Sequence, residues 1–260
     1  MSTIAELSGQ PPATARSLGR VESVAVRHRY ALAVAALTLF ALALRFSQIR
    51  QGLFGDEVWT YQDILGCSLG EVLTTVHTGG ENSPPLFFVL AYATGKLGDP
   101  SVWIRLPSIV LGALTIPLVY LIGRETVGRA QGVLAAALLA FSPFSLFYGV
   151  EARPYATMAF FVALSTWALL RAVDGSGSRW WVLYVVGAVA AAYTHYTSIF
   201  VLVTQGLRSM WACRDRIRAP LISAAAVVAA YLPWLPELRG KQLAVIGALH
   251  PLSLHNSSPT

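Results

Sequence analysis

Long apolar runs separated by short polar intervals dominate the chain from residue 30 to residue 236. A helix needs about 20 predominantly apolar residues to cross the hydrocarbon core of a bilayer. The pattern therefore predicts an all-α membrane protein with about seven transmembrane helices. The runs cover residues 30–49, 105–123, 130–148, 154–171, 180–194, 197–212 and 219–236.

A further apolar run, residues 85–97, is too short to be read as a span. It follows Pro84-Pro85 and contains Lys96. Apolar runs of about 10–14 residues are more often interfacial or re-entrant than spanning. We therefore predict that residues 85–97 do not cross the membrane. They would follow a large first external loop, residues 50–84, that carries interfacial helices.

Charge sets the predicted orientation of these helices. The chain is 55% hydrophobic and 12% charged, whereas soluble domains average about 25% charged residues. Its net charge of +6 comes from arginines clustered between apolar runs, which is typical of cytoplasmic loops and not of a nucleic-acid-binding surface. With a cytoplasmic N-terminus, the three arginine-rich loops at 124–129, 171–179 and 214–218 all fall inside. This predicts a multi-pass protein of the plasma (inner) membrane with no nucleic-acid partner.

The same topology divides the chain into three parts. Residues 1–29 are polar and are predicted to form a disordered cytoplasmic tail. Residues 30–236 form one membrane module without a visible repeat or linker. Residues 237–260 are weakly patterned, and we interpret them as an external tail left by truncation. Arg45, near the end of the first run, is expected to snorkel to the membrane interface.

Three polar turns fall on the external face in this topology. The first carries Asp56-Glu57, which is either a solvated loop pair or a pair that includes a general base at the membrane surface. The second, Glu151–Tyr155, is either an interfacial ion pair of small value or a phosphate clamp formed by Arg153. The third, His195-Tyr196, is either a tight helical hairpin or part of the same site. Charged residues at membrane depth often mark ligand pathways.

Glu81 comes just before Pro84-Pro85 and the short apolar run. A proline is well tolerated at the start of a helix, and an acid there is stabilised by the helix dipole. Glu81 is therefore either a helix-terminal acid or a functional carboxylate, and both can hold together.

Several short stretches in this order and spacing resemble the GT-C superfamily of glycosyltransferases that use polyprenyl-phosphate sugars. Within it, the chain is most similar to the dolichyl-phosphate-mannose–protein mannosyltransferase type and to bacterial relatives such as the aminoarabinose transferase acting on lipid A. The resemblance covers about residues 45–236. The stretches are Gly55-Asp56-Glu57 with Tyr61, Glu81 to Leu86, Arg105-Leu106-Pro107-Ser108, Tyr120 to Arg124, Ser142-Pro143-Phe144, and Tyr148 to Tyr155.

The resemblance implies an inverting transfer of a monosaccharide, mannose or similar, from a polyprenyl-phosphate donor to an extracytoplasmic acceptor hydroxyl. The acceptor would be a protein, a lipid or a cell-wall glycan. Asp56 would be the catalytic base, with Glu57 beside it, and Arg153 and His195 would stabilise the leaving phosphate. No cofactor is implied with certainty, and a divalent cation stays open. The substrate-binding residues implied are Tyr61, Glu81, Glu151, Arg153, Tyr155 and His195.

Two other classes of protein stay open at this point. A transporter or lipid flippase would need charged groups near the middle of the bilayer and paired broken helices, whereas the acids here cluster at one face. A catalytically silent membrane subunit is favoured by length, because members of the resembled family usually continue for further membrane helices.

Overall fold

A computed structural model describes residues 13–78 and 83–236, with side chains from residue 28 onward within those ranges. This part of the chain is helical and contains no β-strand, in agreement with the predicted all-α class. The α-helices are α1 (Ala13–Phe46), α2 (Glu57–Ile64), α3 (Leu69–His77), α4 (Leu86–Gly95), α5 (Pro100–Trp103), α6 (Leu106–Thr126), α7 (Arg129–Phe141), α8 (Pro143–Val150), α9 (Pro154–Val173), α10 (Ser178–Ala192), α11 (Ser198–Ala212) and α12 (Arg218–Tyr231).

Among the described residues, three helical segments are long and apolar enough to cross a bilayer. They are His28–Phe46 in α1, Pro100–Thr126 across α5 and α6, and Pro154–Val173 in α9. Helices α7 and α8 are bent by 59° and would together make a fourth. The predicted count of seven is not reached by this criterion. Helices α10, α11 and α12 have 15, 15 and 14 residues, about 22 Å at 1.5 Å per residue, which is shorter than a hydrocarbon core of about 30 Å.

Helix α1 begins at Ala13, so residues 13–29 are helical where we expected a disordered tail. From Ala13 to Ser83 the sequence contains no proline, and residues 13–29 include four arginines and three alanines, which favour helix. Hydrophobic periodicity does not detect such a polar extension of an apolar helix. Residues 1–12 and the predicted tail 237–260 lie outside the described residues.

The first loop is folded into helices α2 and α3. Helix α3 begins with a capping box, in which the Ser68 hydroxyl accepts from the Glu71 N–H and the Glu71 carboxylate accepts from the Ser68 N–H. Buried side chains of α3 and α4 form a hydrophobic cluster beneath the loop. Helix α4 has ten residues, about 15 Å, a length that fits the predicted non-spanning segment. The core of this cluster is Ile64, Val72, Val76, Phe87, Phe88, Ala91, Ile104, Ala152 and Trp234.

Helix α6 is the centre of the bundle and packs against α1, α7, α8 and α9, while α9 packs against α10 and α11. Glycines allow α6 and α7 to approach closely, as small residues do between membrane helices. A Cβ atom at Gly132 of α7 would lie 2.8 Å from the Tyr120 carbonyl oxygen of α6. The α6–α7 contact therefore depends on Gly132.

The bundle has two chemically different ends. At one end, here called the acidic end, the loop after α1, the start of α6, the α8–α9 turn and the α10–α11 turn come together. The contacts Glu57–Ala152, Arg153–Asp56 and Tyr155–His195 join these segments. The predicted grouping of the three polar turns is confirmed by these contacts. At the other end, here called the arginine end, lie the α6–α7, α9–α10 and α11–α12 loops.

Arg45 does not snorkel, and that expectation is wrong. Its side chain is fully buried; Nη1 donates to the Ala41 carbonyl at 3.1 Å, and Nη2 donates to the Ser145 carbonyl at 3.1 Å and hydroxyl at 2.9 Å. Gly112 and Gly149 face the guanidinium, and a Cβ atom at Gly149 would collide with Nε. Room left by the two glycines and acceptors supplied by Ser145 keep the arginine inside.

Candidate functional site

A buried ion pair between Glu57 and Arg105 anchors the acidic end. Arg105 Nε lies 2.8 Å from Glu57 Oε1, and Nη2 lies 2.7 Å from Oε2. This two-pronged geometry is the strong form of an arginine–carboxylate contact. The same guanidinium donates to the carbonyl oxygens of Ile49, Gln51 and Gly52 at 2.9, 2.6 and 3.1 Å. Arg105 therefore fixes the path of the chain from α1 into the first loop.

Glu57 connects the first loop to the α8–α9 turn. Its Oε1 accepts from the Ala152 N–H at 2.7 Å, and its Oε2 accepts from the Phe54 N–H at 3.2 Å. Glu57 is 2% exposed and receives four N–H donors in all. Together these hydrogen bonds hold the first loop to α6 and to the α8–α9 turn. This buried structural position differs from the catalytic role beside Asp56 that we expected for Glu57.

Asp56, the adjacent carboxylate, is in the opposite environment. It lies at the N-terminus of α2, after Gly55, whose φ of +57° favours glycine. The Asp56 side chain is 61% exposed, and its Oδ2 lies 3.9 Å from Arg153 Nη2. Asp56 is thus reachable from solvent while facing a fixed cation.

Arg153 is held from two sides in the turn before α9. Its Nη1 donates to the Thr60 hydroxyl at 3.2 Å, and its backbone carbonyl accepts from the Ser108 hydroxyl at 3.1 Å. The residue is buried, so its guanidinium position is set by packing. A planar guanidinium fixed in this way is suited to binding phosphate oxygens.

Glu151 is half-buried at the start of the same turn. Among the described residues its Oε2 has no hydrogen-bond partner. Burial, and next the charge of nearby Glu57, raise the pKa of Glu151, while Arg153 opposes the rise. The carboxyl is therefore an acceptor with spare capacity beside Asp56 and Arg153.

His195 packs its ring against Tyr155, with centroids 5.4 Å apart, and Tyr155 in turn contacts Tyr148 at 4.9 Å. The His195 Nδ1 lies 3.2 Å from the Thr197 backbone nitrogen and 2.9 Å from the Thr197 hydroxyl oxygen. In the neutral tautomer with the proton on Nε2, Nδ1 accepts from the Thr197 N–H. Burial, and then the charge of Arg153, lower the pKa of His195. His195 is thus better suited to act as a neutral N–H donor than as the fixed cation we expected.

The structure brings Asp56, Glu57, Glu151, Arg153, Tyr155 and His195 to one end. Tyr61 packs against the hydrophobic cluster of α3 and α4, and Glu81 lies outside the described residues. Within residues 13–78 and 83–236, no group of three or more His, Cys, Asp or Glu side chains is arranged to hold a metal ion.

Sequence reasoning missed the structural parts played by Arg105, Thr60 and Ser108. A signal existed for Arg105, because it opens an apolar run, and charged residues at membrane depth often serve a ligand or another buried charge. The two hydroxyl residues carry no comparable signal in the sequence.

Fold and site together define a helical membrane protein with an exposed carboxylate and a buried arginine at one end of its bundle. The sequence model of the dolichyl-phosphate-mannose–protein mannosyltransferase family matches residues 82–238. This is more than half of the chain, and the chain belongs to that family. The match includes the α8–α9 and α10–α11 turns and begins after Asp56, Glu57 and Tyr61.

A solved structure with a similar fold is that of the Saccharomyces cerevisiae protein O-mannosyltransferase Pmt1–Pmt2 complex bound to the sugar donor. The TM-score is 0.59 at 18% sequence identity, over 88% of this chain and 35% of the yeast chain. The chain thus spans about a third of that yeast chain, and the likeness is one of fold. None of the curated protein sequences is significantly similar to the chain.

Proposed function

We propose that the chain is an integral-membrane glycosyltransferase that transfers a monosaccharide, mannose or similar, from a polyprenyl-phosphate donor to an acceptor hydroxyl. Its family and its similarity in fold to a complex described as bound to the sugar donor support this function. The observation that carries it is the exposed Asp56 carboxylate 3.9 Å from the buried Arg153 guanidinium.

Asp56 is the general base in this proposal. Its carboxylate takes the proton of the acceptor hydroxyl while that oxygen attacks the anomeric carbon of the donor sugar. The bond between the anomeric carbon and the phosphate oxygen breaks, the configuration inverts, and the polyprenyl phosphate leaves. The solvent exposure of Asp56 supports this role, because an acceptor must reach the base.

Arg153 stabilises the negative charge that grows on the leaving phosphate. A cation already fixed in position stabilises such charge without reorganising during the reaction, and Thr60 and Ser108 fix Arg153. His195 adds an N–H donor through Nε2. The spare oxygen of Glu151 accepts from a sugar hydroxyl, and Tyr155 forms part of the wall.

Glu57 is a positioning residue in this proposal, since its buried carboxylate joins the first loop to the α8–α9 turn. Tyr61 and Glu81 keep their places as substrate-binding candidates on the strength of the family resemblance alone. The chain's motifs taken together also resemble bacterial relatives such as the aminoarabinose transferase acting on lipid A, so the proposed acceptor is a protein, a lipid or a cell-wall glycan.

The proposed topology has the arginine end in the cytoplasm and the acidic end outside, because loops rich in arginine are retained inside. It counts seven spans, the shorter helices α10 to α12 included. An impermeant thiol reagent applied to intact cells tests it. We expect Cys67, in the first loop, to be labelled in a Cys213→Ser variant; protection of Cys67 until the cells are opened would reverse the orientation.

The catalytic assignment is tested in membranes that contain the full chain and a labelled polyprenyl-phosphate sugar. We expect Asp56→Asn to slow transfer about 10²–10⁴-fold, the usual contribution of a general base. Asp174→Asn, an equal change at the arginine end, leaves the rate unchanged. If Asp56→Asn transfers as fast as the wild type, Asp56 is not the base. If the wild type transfers no sugar, a catalytically silent subunit becomes the better interpretation.

A further inference from the structure

We propose that the arginine end contains a binding site for the headgroup of an anionic phospholipid. The site is formed by Arg124 and Glu125 at the end of α6, Trp167 and Arg171 of α9, and Arg179 and Trp180 of α10, here called the Arg–Trp cluster. It lies at the opposite end of the bundle from Asp56, and it does not depend on the proposed reaction.

Glu125 organises one side of the cluster. Its Oε1 lies 3.0 Å from Arg124 Nη2 and 3.6 Å from Arg171 Nη1, and it accepts from the Trp167 indole N–H at 3.2 Å. One carboxylate thus draws two guanidinium groups together at the ends of α6 and α9. The two arginine side chains are still 35% and 34% exposed, so both can be reached by a ligand.

Trp180 organises the other side. The guanidinium carbons of Arg171 and Arg179 lie 5.1 and 5.5 Å from the centre of its ring, within the range of a cation–π contact. Trp167 meets Trp180 edge-on at 4.9 Å. Trp180 lies in the first turn of α10, and Trp167 reaches it from the last third of α9. Tryptophan is enriched at the level of lipid headgroups.

The cluster has more cations than it neutralises. The cluster contains three arginines and one carboxylate, which contacts only Arg124 and Arg171. Within the described residues Arg171 Nε and Trp180 Nε1 have no hydrogen-bond acceptor. Arg216 of the α11–α12 loop is close by, since a Cβ atom at Gly175 would lie 3.6 Å from its Nη1. Across this end the arginines outnumber the acids. The arginines are 124, 129, 171, 179, 214, 216 and 218, and the acids are Glu125, Asp174 and Asp215.

A phospholipid headgroup fits this combination better than a free anion does. A phosphate diester supplies acceptor oxygens for the guanidinium forks, and the indoles offer apolar faces to the glycerol and the first acyl carbons. Basic pockets between membrane helices bind anionic headgroups in this way. The charge and the aromatic faces are therefore complementary to the two halves of one ligand.

The test titrates the purified full chain in detergent with phosphatidylglycerol and, separately, with phosphatidylcholine, and follows bound lipid by native mass spectrometry. We expect phosphatidylglycerol to bind more tightly, and its affinity to fall as salt is raised. An arginine near a membrane surface contributes about 1 kcal/mol to anionic lipid binding, or about fivefold in affinity. We expect about a fivefold loss in Arg179→Gln and a larger loss when Arg171→Gln is added.

Arg214→Gln is the matched control, because it removes the same charge from the same end but outside the Arg–Trp cluster. Equal affinity for both lipids overturns the proposal, and so does an equal loss in Arg214→Gln, which would indicate general surface charge. Displacement of phosphatidylglycerol by inorganic phosphate at similar concentration would make this a site for a free anion and also overturns it. Arg179→Gln keeps the Glu125 contacts, so its result does not depend on whether the double variant folds.

Discussion

Replacing Glu57 by glutamine changes a carboxylate that is 2% exposed and accepts four N–H hydrogen bonds. One end of the new amide is an NH₂ group, which must face either Arg105 Nη2 and the Phe54 N–H or Arg105 Nε and the Ala152 N–H. The Arg105 guanidinium also loses its counter-charge while it stays fully buried. Removing one partner of a buried ion pair costs about 3–5 kcal/mol, against a total stability of about 5–15 kcal/mol for a typical domain.

At about 2–4 °C per kcal/mol for a chain of this size, we expect the thermal midpoint of Glu57→Gln to fall by about 6–20 °C. Tryptophan fluorescence of the full chain in detergent at neutral pH measures it. Arg124→Gln is the control, since Arg124 is about one third exposed and Glu125 keeps Arg171 and Trp167. An exposed pair is worth about 0–1 kcal/mol, so this control changes little.

A double-mutant cycle completes the test. Each single change, Arg105→Met or Glu57→Gln, leaves one uncompensated buried charge, and the double variant leaves none. The stability lost by the double variant should therefore be smaller than the sum of the losses of the two single variants. Coupling of about 0.5–3 kcal/mol is usual for residues in direct contact. The reasoning is refuted if the two losses add, or if Glu57→Gln lowers the midpoint no more than Arg124→Gln does.

The remaining predictions concern pH and close packing. Burial raises the pKa of Glu151 in the folded protein. The stability that Glu151 contributes is therefore present at pH values below its pKa in the unfolded chain, and it is lost as pH rises through its pKa in the folded protein. We expect the midpoint of Glu151→Gln to fall less than that of the wild type between pH 4 and pH 7; parallel curves would contradict this. Because burial lowers the pKa of His195, its contribution is present above the unfolded pKa and is lost as pH falls through the folded value. The thermal midpoint of His195→Gln should therefore fall less than that of the wild type between pH 7 and pH 5. An equal fall in the two proteins would contradict the lowered pKa of His195. Gly132→Ala should lower the thermal midpoint, because its Cβ would lie 2.8 Å from the Tyr120 carbonyl oxygen. Gly206→Ala is the control; it has open space around it and should be neutral or stabilising by up to about 1 kcal/mol. Similar midpoints for the two variants would refute the packing argument.

Much of the fold was predictable because the bilayer imposes a strong pattern. Apolar runs gave the helices, and the short length of residues 85–97 predicted a segment too short to span. The placement of the arginines predicted that Asp56, Glu151 and His195 lie at one end of the bundle. The Asp56–Arg153 and Tyr155–His195 contacts agree with this grouping. These inferences depend only on length, hydrophobicity and the sign of charge, and all three can be read along a chain.

What could not be predicted depends on contacts between distant residues. Asp56 and Glu57 are adjacent carboxylates, and no sequence rule states that one is exposed while the other is buried. That difference arises from Arg105, 48 residues later. Arg45 has the position of a snorkelling residue, yet Gly112 and Gly149 on other helices leave room for it inside.

The Glu57–Arg105 contact also limits how these positions can vary over evolutionary time. Replacing either residue alone leaves the other as an unpaired buried charge, which destabilises the protein. A stable change at one of the two positions therefore requires a compensating change at the other. Asp56 is under no such constraint from its neighbours, because it is exposed and meets Arg153 only at 3.9 Å. The two adjacent carboxylates are therefore under different structural constraints: Glu57 is tied to a buried arginine, whereas Asp56 is open to solvent.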